Sequence, residues 1–239
     1  GSPALTFWYD KIHHRRDYRW IKPVHEILSK YSGQPEVIVY SNEILLHHWP
    51  DNSKSRGSYL SLLKLACQEE PFDDRSAHYL GREYSFYAMH DESIAELKRH
   101  LSLKAAVWKP ERAASMRLLS KAYKAKGELE QAKSWIMQAC VEAPSEREPW
   151  VDLAQISYER QDWILTYAAS KKATAIEERP LSYICEPLAW GSHPWDLLSI
   201  SAWQLGHKRE ALEASNKAIS IDPDDARLRA NNLYFVGHQ

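Results

Sequence analysis

No apolar run in this 239-residue chain approaches the ~20 residues that a membrane-crossing helix requires. Nor does it open with a basic stretch followed by an apolar one, the pattern of a secretion signal. Charge of either sign is not in excess: 31 Lys and Arg against 32 Asp and Glu leave a formal net charge of -1. No one-signed field therefore draws the chain to nucleic acid or to an anionic membrane. Cysteine is scarce, and Cys67, Cys140 and Cys185 are odd in number and widely spaced, which excludes a disulfide framework and a structural zinc site. Cys67 and Cys140 read instead as small apolar residues on helix faces. A glycine-rich phosphate loop, a close Cys/His cluster and a Gly-x-Ser-x-Gly elbow are all missing. These absences lead us to expect a cytoplasmic, mostly helical chain without nucleic-acid partners or a membrane span. Gly1-Ser2 reads as a cloning remnant, so the chain is expected to be one piece of a longer protein.

What the sequence does contain is a repeat. Leu119, Gly127, Ala132, Ala139 and Pro144 return as Leu198, Gly206, Ala211, Ala218 and Pro223, each pair 79 residues apart. Between them, Leu153 and Ala173 follow Leu119 and Ala139 by 34 residues, and Trp150 precedes Trp195 by 45. A 34-residue period is that of the tetratricopeptide repeat, two antiparallel helices whose apolar face is completed by the neighbouring pair. Small residues such as Ala132 and Ala211 suit the helix crossing, and Gly127 and Gly206 suit a helix end that needs positive φ. Pro144 and Pro223 follow the second helices. A weaker copy upstream places Leu80, Ser93 and Leu97 39 residues before Leu119, Ala132 and Ile136. That spacing implies an insertion of about five residues over 104–111, and the 45-residue offset implies about eleven over 179–191.

The expected fold class is all-α, a tetratricopeptide-type helical solenoid with a short mixed strand/loop segment at the N-terminus. The boundaries are 1–54 for that segment and 55–239 for the repeats. Within the latter we expect a capping helix at 57–70, repeats at about 75–108, 112–145, 147–180 and 192–225, and a closing cap at 226–237. The first fifty residues carry three tryptophans, five histidines and β-prone runs at 5–9, 37–40 and 44–47. Two or three strands make a poor independent core, so this segment either completes a sheet supplied by upstream sequence or packs back on the first repeat.

Within it lies Asp17-Tyr-Arg-Trp-Ile-Lys-Pro-Val-His-Glu26. The run Tyr18-Arg19-Trp20, then Pro23-Val24-His25-Glu26, resembles the closing part of the catalytic domain in bacterial and phage family 2 glycosyltransferases that carry tetratricopeptide repeats. The stretches His47-His48-Trp49-Pro50-Asp51, Lys54-Ser55-Arg56, 78–84, 111–117 and 147–150 are similar to the region that follows it. The resemblance implies that residues 1–54 are the remainder of a GT-A-type catalytic domain. It further implies transfer of a sugar from a nucleotide diphosphate, with Mn or Mg on the diphosphate in the full-length parent and no cofactor in this fragment. On that footing His25 is the metal candidate, oxygen ligands being otherwise preferred by such ions. Arg15, Arg16 and Arg19 are candidates to neutralise the diphosphate, Trp20 to wall the donor and Glu26 to orient His25. An Asp-x-Asp metal motif and a catalytic base are missing, so the chain alone is not expected to turn over a sugar nucleotide.

First helices line the concave groove in this repeat class, which makes Tyr79, Arg82, Glu83, Arg112, Arg117 and the loop residue Trp190 candidates for contact with an acceptor or partner. Three functions follow. The chain is the C-terminal part of a glycosyltransferase whose repeats position a protein or glycan acceptor, or a non-catalytic scaffold for protein–protein interaction, or a self-association module. The last of these predicts an exposed apolar end cap around Leu228, Leu233, Tyr234 and Phe235.

Overall fold

The computed structural model describes residues 6–9, 12–47, 49 and 57–238. The expected boundary at 54–55, His48 and the Lys54-Ser55-Arg56 stretch lie outside the described residues. Among the described residues there are ten α-helices, one 3-10 turn and a single two-stranded sheet. The chain divides into two compact units, Trp8–Ala106 and one composed mainly of Val107–Gln239.

The first unit begins with an antiparallel hairpin, β1 (Tyr18–Ile21) and β2 (Ile27–Lys30), with Tyr18 opposite Lys30 and Ile21 opposite Ile27. Its five-residue turn holds Lys22 at φ 78° and His25 at φ 52°. The β-prone run expected as a strand at 37–40 pairs with nothing, and Val37 and Val39 are each 82% exposed. The run at 44–47 and residues 6–9 are likewise outside any strand. A strand needs a neighbour for its backbone groups, and only the Tyr18–Ile21 segment finds one.

Three helices follow: α1 (Tyr59–Glu69), α2 (Asp74–Phe86) and α3 (His90–Ser102). Asp73 caps α2 by accepting the Ser76 backbone N–H at 2.8 Å. The α2–α3 crossing is close because Gly81 has no side chain: a Cβ there would sit 2.6 Å from Leu97, which is fully buried. Ser93 Oγ donates to the Gly81 carbonyl at 2.8 Å across this contact. The hairpin packs back on these helices. Lys22 Nζ bridges Glu70 at 2.5 Å and Asp73 at 3.0 Å, and the His25 ring stacks on Tyr79 with centroids 3.9 Å apart.

The second unit holds three helix pairs and a closing helix. The pairs are α4 (Lys109–Ala125) with α5 (Leu129–Glu142), α6 (Arg147–Glu159) with α7 (Trp163–Thr174), and α8 (His193–Gln204) with α9 (Lys208–Ile221). The last helix is α10 (Ala226–Gly237), capped by Asp225, whose carboxylate accepts from the Arg227 N–H at 2.8 Å. Leu119, Ala132, Ile136, Ala139, Leu153, Ala173, Leu198, Ala211 and Ala218, the residues that carry the sequence repeat, are all buried. Each pair leans on the next, so the core is a chain of neighbour contacts and not one central cluster. Leu228 and Phe235 close it from α10, with Phe235 stacked on Trp203 at 4.8 Å.

Candidate functional site

In the first unit the proposed sugar-donor residues stand apart from any built site. Arg15 and Arg16 are exposed before β1, Arg19 and Trp20 are exposed on β1, and Glu26 is exposed at the end of the turn. His25 does not face an open cleft at a sheet edge. Its ring lies flat on Tyr79 and edge-on to Tyr59 at 5.7 Å. Among the described residues no set of His, Cys, Asp or Glu side chains converges on His25 in the way a divalent ion needs. These residues alone therefore do not fit a metal centre, and no chemistry is routed through one.

The groove candidates on α2 are covered as well. Tyr79 is 5% exposed beneath His25, Arg82 lies over the Tyr79 ring at 4.4 Å, and Glu83 is buried. The fold thus turns Tyr79 and its neighbours inward, because the hairpin needs an aromatic platform on which to pack.

The second unit has a polar inner surface built from successive first helices. Arg117, Lys121 and Lys124 recur at i, i+4 and i+7 on α4, so they share one face. Arg117 Nε binds Asp152 of α6 at 2.6 Å, and Lys124 Nζ reaches Glu159 of α6 at 2.5 Å. Farther along, Arg227 of α10 binds the buried Asp196 of α8 at 2.7 Å. Arg112, by contrast, bridges to Glu142 of α5 at 2.7 Å and ties its own helix pair together.

The long connection between α7 and α8 lies across this surface. From Ile176 it runs to a 3-10 turn at Pro187–Trp190, and its side chains reach two helices. Trp190 and Ala189 anchor it on α6: Trp190 Nε1 donates to Glu148 Oε1 at 2.8 Å, Arg147 stacks on the Trp190 ring at 4.0 Å, and Ala189 packs with Val151 and Ala173. The stretch before the anchor reaches α4. Tyr183 donates its hydroxyl to Glu111 and rests 5.7 Å from the Trp108 ring, and Glu186 pairs with Arg117 Nη2 at 2.8 Å. The Glu186 backbone N–H donates to Glu148 Oε1 at 3.1 Å, and Lys121 Nζ stands 3.6 Å from the Glu186 carboxylate.

Electrostatics follow this geometry. Burial works against charge on Arg117, yet Asp152 and Glu186 outweigh it and raise its affinity for the proton. Burial likewise opposes charge on Glu186, but Arg117 and Lys121 hold its carboxyl below the usual range. The thiols offer no nucleophile at neutral pH. Burial pushes Cys67 and Cys140 up to about 12 and Cys185 to about 11. Arg117 and Trp190 thus meet at one surface, whereas Tyr79, Arg82 and Glu83 belong to another packing. Sequence reasoning passed over Glu148, Asp152, Tyr183 and Glu186. The 45-residue offset located the insertion, but nothing in its composition says which helices it touches.

Known proteins agree with this architecture. The tetratricopeptide repeat model matches residues 115–145 and 193–225, over α4–α5 and α8–α9. Among solved structures, YrrB, described as a TPR protein with an unusual peptide-binding site, is similar with a TM-score of 0.59 at 14% identity, over 74% of this chain and 82% of that one. MamA is similar with a TM-score of 0.54 at 15% identity, over 70% and 89%. PilF of Pseudomonas aeruginosa gives 0.56 at 11% identity, over 75% and 72%. At such identities the likeness shows the fold alone. No curated protein matches the sequence. No helix among the described residues is long and apolar enough to cross a membrane.

Proposed function

We propose that this chain is a non-catalytic repeat scaffold that recruits a protein partner on the inner surface of α4, α6, α8 and α10. The observation that carries this reading is the connection between α7 and α8. That surface already holds a non-helical stretch of polypeptide through side chains on two first helices, Arg117 and Glu148 among them. The tetratricopeptide match and the peptide-binding site ascribed to YrrB support the same use. Crosslinking with an amine-reactive reagent in the source cell tests it. Lys121 and Lys124 lie on the inner surface, while Lys133, Lys171, Lys172 and Lys217 lie on second helices. A partner attached through the first set is the expected outcome; partners attached only through the second would overturn the proposal.

A finer reading gives the scaffold a glycosyltransferase context, its repeats positioning a protein or glycan acceptor. Its support is the resemblance over residues 18–26. Calorimetric titration with nucleotide-diphosphate sugars and manganese tests that reading, with weaker heat expected in Arg19→Ala. No heat in the unmodified chain would remove Arg15, Arg16 and Arg19 from donor binding.

A further inference from the structure

The inner face of α4 presents three basic side chains along one line, and two of them share a single acidic group from the 176–192 connection. Arg117 is 5% exposed at its side chain and already pairs with Asp152, so Glu186 is its second carboxylate. Lys121 is half exposed and has Glu186 as its nearer acid, Asp152 lying 4.0 Å away. The stretch that brings Glu186 there is held unevenly. Its C-terminal end is set into the core by Ala189 and the Trp190–Arg147 stack. Its upstream part touches α4 through Tyr183 and Glu186, while Glu177, Glu178 and Leu181 point to solvent.

We propose that residues 179–186 form an internal ligand for a docking surface on α4, and that this surface takes an extended acidic peptide from a partner once the arm swings away. The proposal rests on the scaffold reading and names its partner chemistry. A carboxylate from the partner replaces Glu186 on Arg117 and Lys121, and an aromatic or apolar side chain replaces Tyr183 beside Trp108. Charge complementarity fixes the choice. The vacated face carries Arg117 and Lys121 with only Asp152 facing them, so a basic or neutral peptide leaves the pair under-compensated. The anchor at 187–190 stays in place, since releasing it would expose Ala189 and unstack Arg147.

A labelled peptide with the sequence of residues 179–187, serine replacing Cys185, is the probe, followed by fluorescence anisotropy against the full chain. In wild type the tethered arm competes at high effective concentration. In the Tyr183→Ala/Glu186→Ala double variant that competition is gone, so binding tightens by about tenfold or more, the order expected from losing a charge-assisted contact. Adding Lys121→Glu to the double variant abolishes the gain. Equal binding to wild type and to the folded double variant overturns the proposal.

Hydrogen exchange on the unmodified chain serves as the second test and needs no variant. The amides of residues 181–186 are expected to exchange well before those of α4 and α6, and to exchange faster still when the peptide is added. Exchange in step with α4 and α6 would make the arm part of the core and overturn the proposal. An arm that opens without taking the peptide would remove the acidic ligand alone, leaving the crosslinking test to decide the scaffold reading.

Discussion

At the scale of single residues, the four helix-pair turns solve one problem with unequal means. Each first helix ends on a residue in the left-handed region: Gly127 at φ 80°, Gly206 at 81°, Ala88 at 55° and Gln161 at 57°. The same bonds close all four ends, as when Glu128 N–H donates to Tyr123 O at 2.9 Å and Asp162 N–H to Ser157 O at 3.0 Å. Gly127 has open space where a Cβ would go, so Gly127→Ala isolates the conformational cost, expected at about 1–2 kcal/mol of unfolding free energy. Gln161→Gly should run the other way, gaining up to about 1 kcal/mol after the entropy cost of glycine is subtracted. Urea denaturation of both variants checks the pair, and a gain in the alanine variant would contradict the backbone argument.

At the scale of elements, the arm between α7 and α8 is the pH-sensitive piece. The Glu186 carboxyl is held below its ordinary value of 4.5, chiefly by Arg117 and Lys121 against the opposing effect of burial. A depressed carboxyl contributes stability that is fully present above the unfolded value and is lost as pH falls through the folded one. The arm's hold on α4 is therefore expected to be constant near neutrality and to weaken only below about pH 4.5. Asp152, Glu148 and Glu111 face the same site and add their own protonation at acidic pH. Backbone resonances of residues 181–186 should shift below that pH while those of α8 hold. In Glu186→Gln the arm's resonances should lose most of this dependence; an unchanged profile would assign it to the neighbouring acids.

At the scale of the whole molecule, the second unit is a linear stack, and its stability is expected to respond locally. Phe235→Ala removes a ring that is 5% exposed and stacked on Trp203, a loss of about 3 kcal/mol or more for the contacts it closes. In a stack with neighbour-only coupling, hydrogen exchange should rise in α8, α9 and α10 and leave α4 and α5 protected. A uniform rise across the unit would point to a single cooperative core. Residues 107–239, expressed alone, are expected to keep helical circular dichroism and a cooperative melt, because their contacts are internal to the unit.

The repeat itself was legible because burial leaves a periodic trace: Leu119, Ala132, Leu153, Ala173, Leu198 and Ala211 recur at the spacing of the helix pairs and are all in the core. Gly127 and Gly206 declared their turns because a left-handed backbone favours glycine, whereas Ala88 and Gln161 occupy equivalent turns and gave no sign. Strand content was misplaced for a related reason. The run 37–40 has the composition of a strand, but pairing is a contact between segments, and only Tyr18–Ile21 and Ile27–Lys30 meet. The binding surface lay beyond local sequence altogether. Arg117, Glu148, Tyr183 and Glu186 span 70 positions and share no period, and only folding the insertion across α4 and α6 brings their charges within reach. Local chain chemistry thus determined the helix pairs and their caps, while the tertiary structure alone decided which charges face one another.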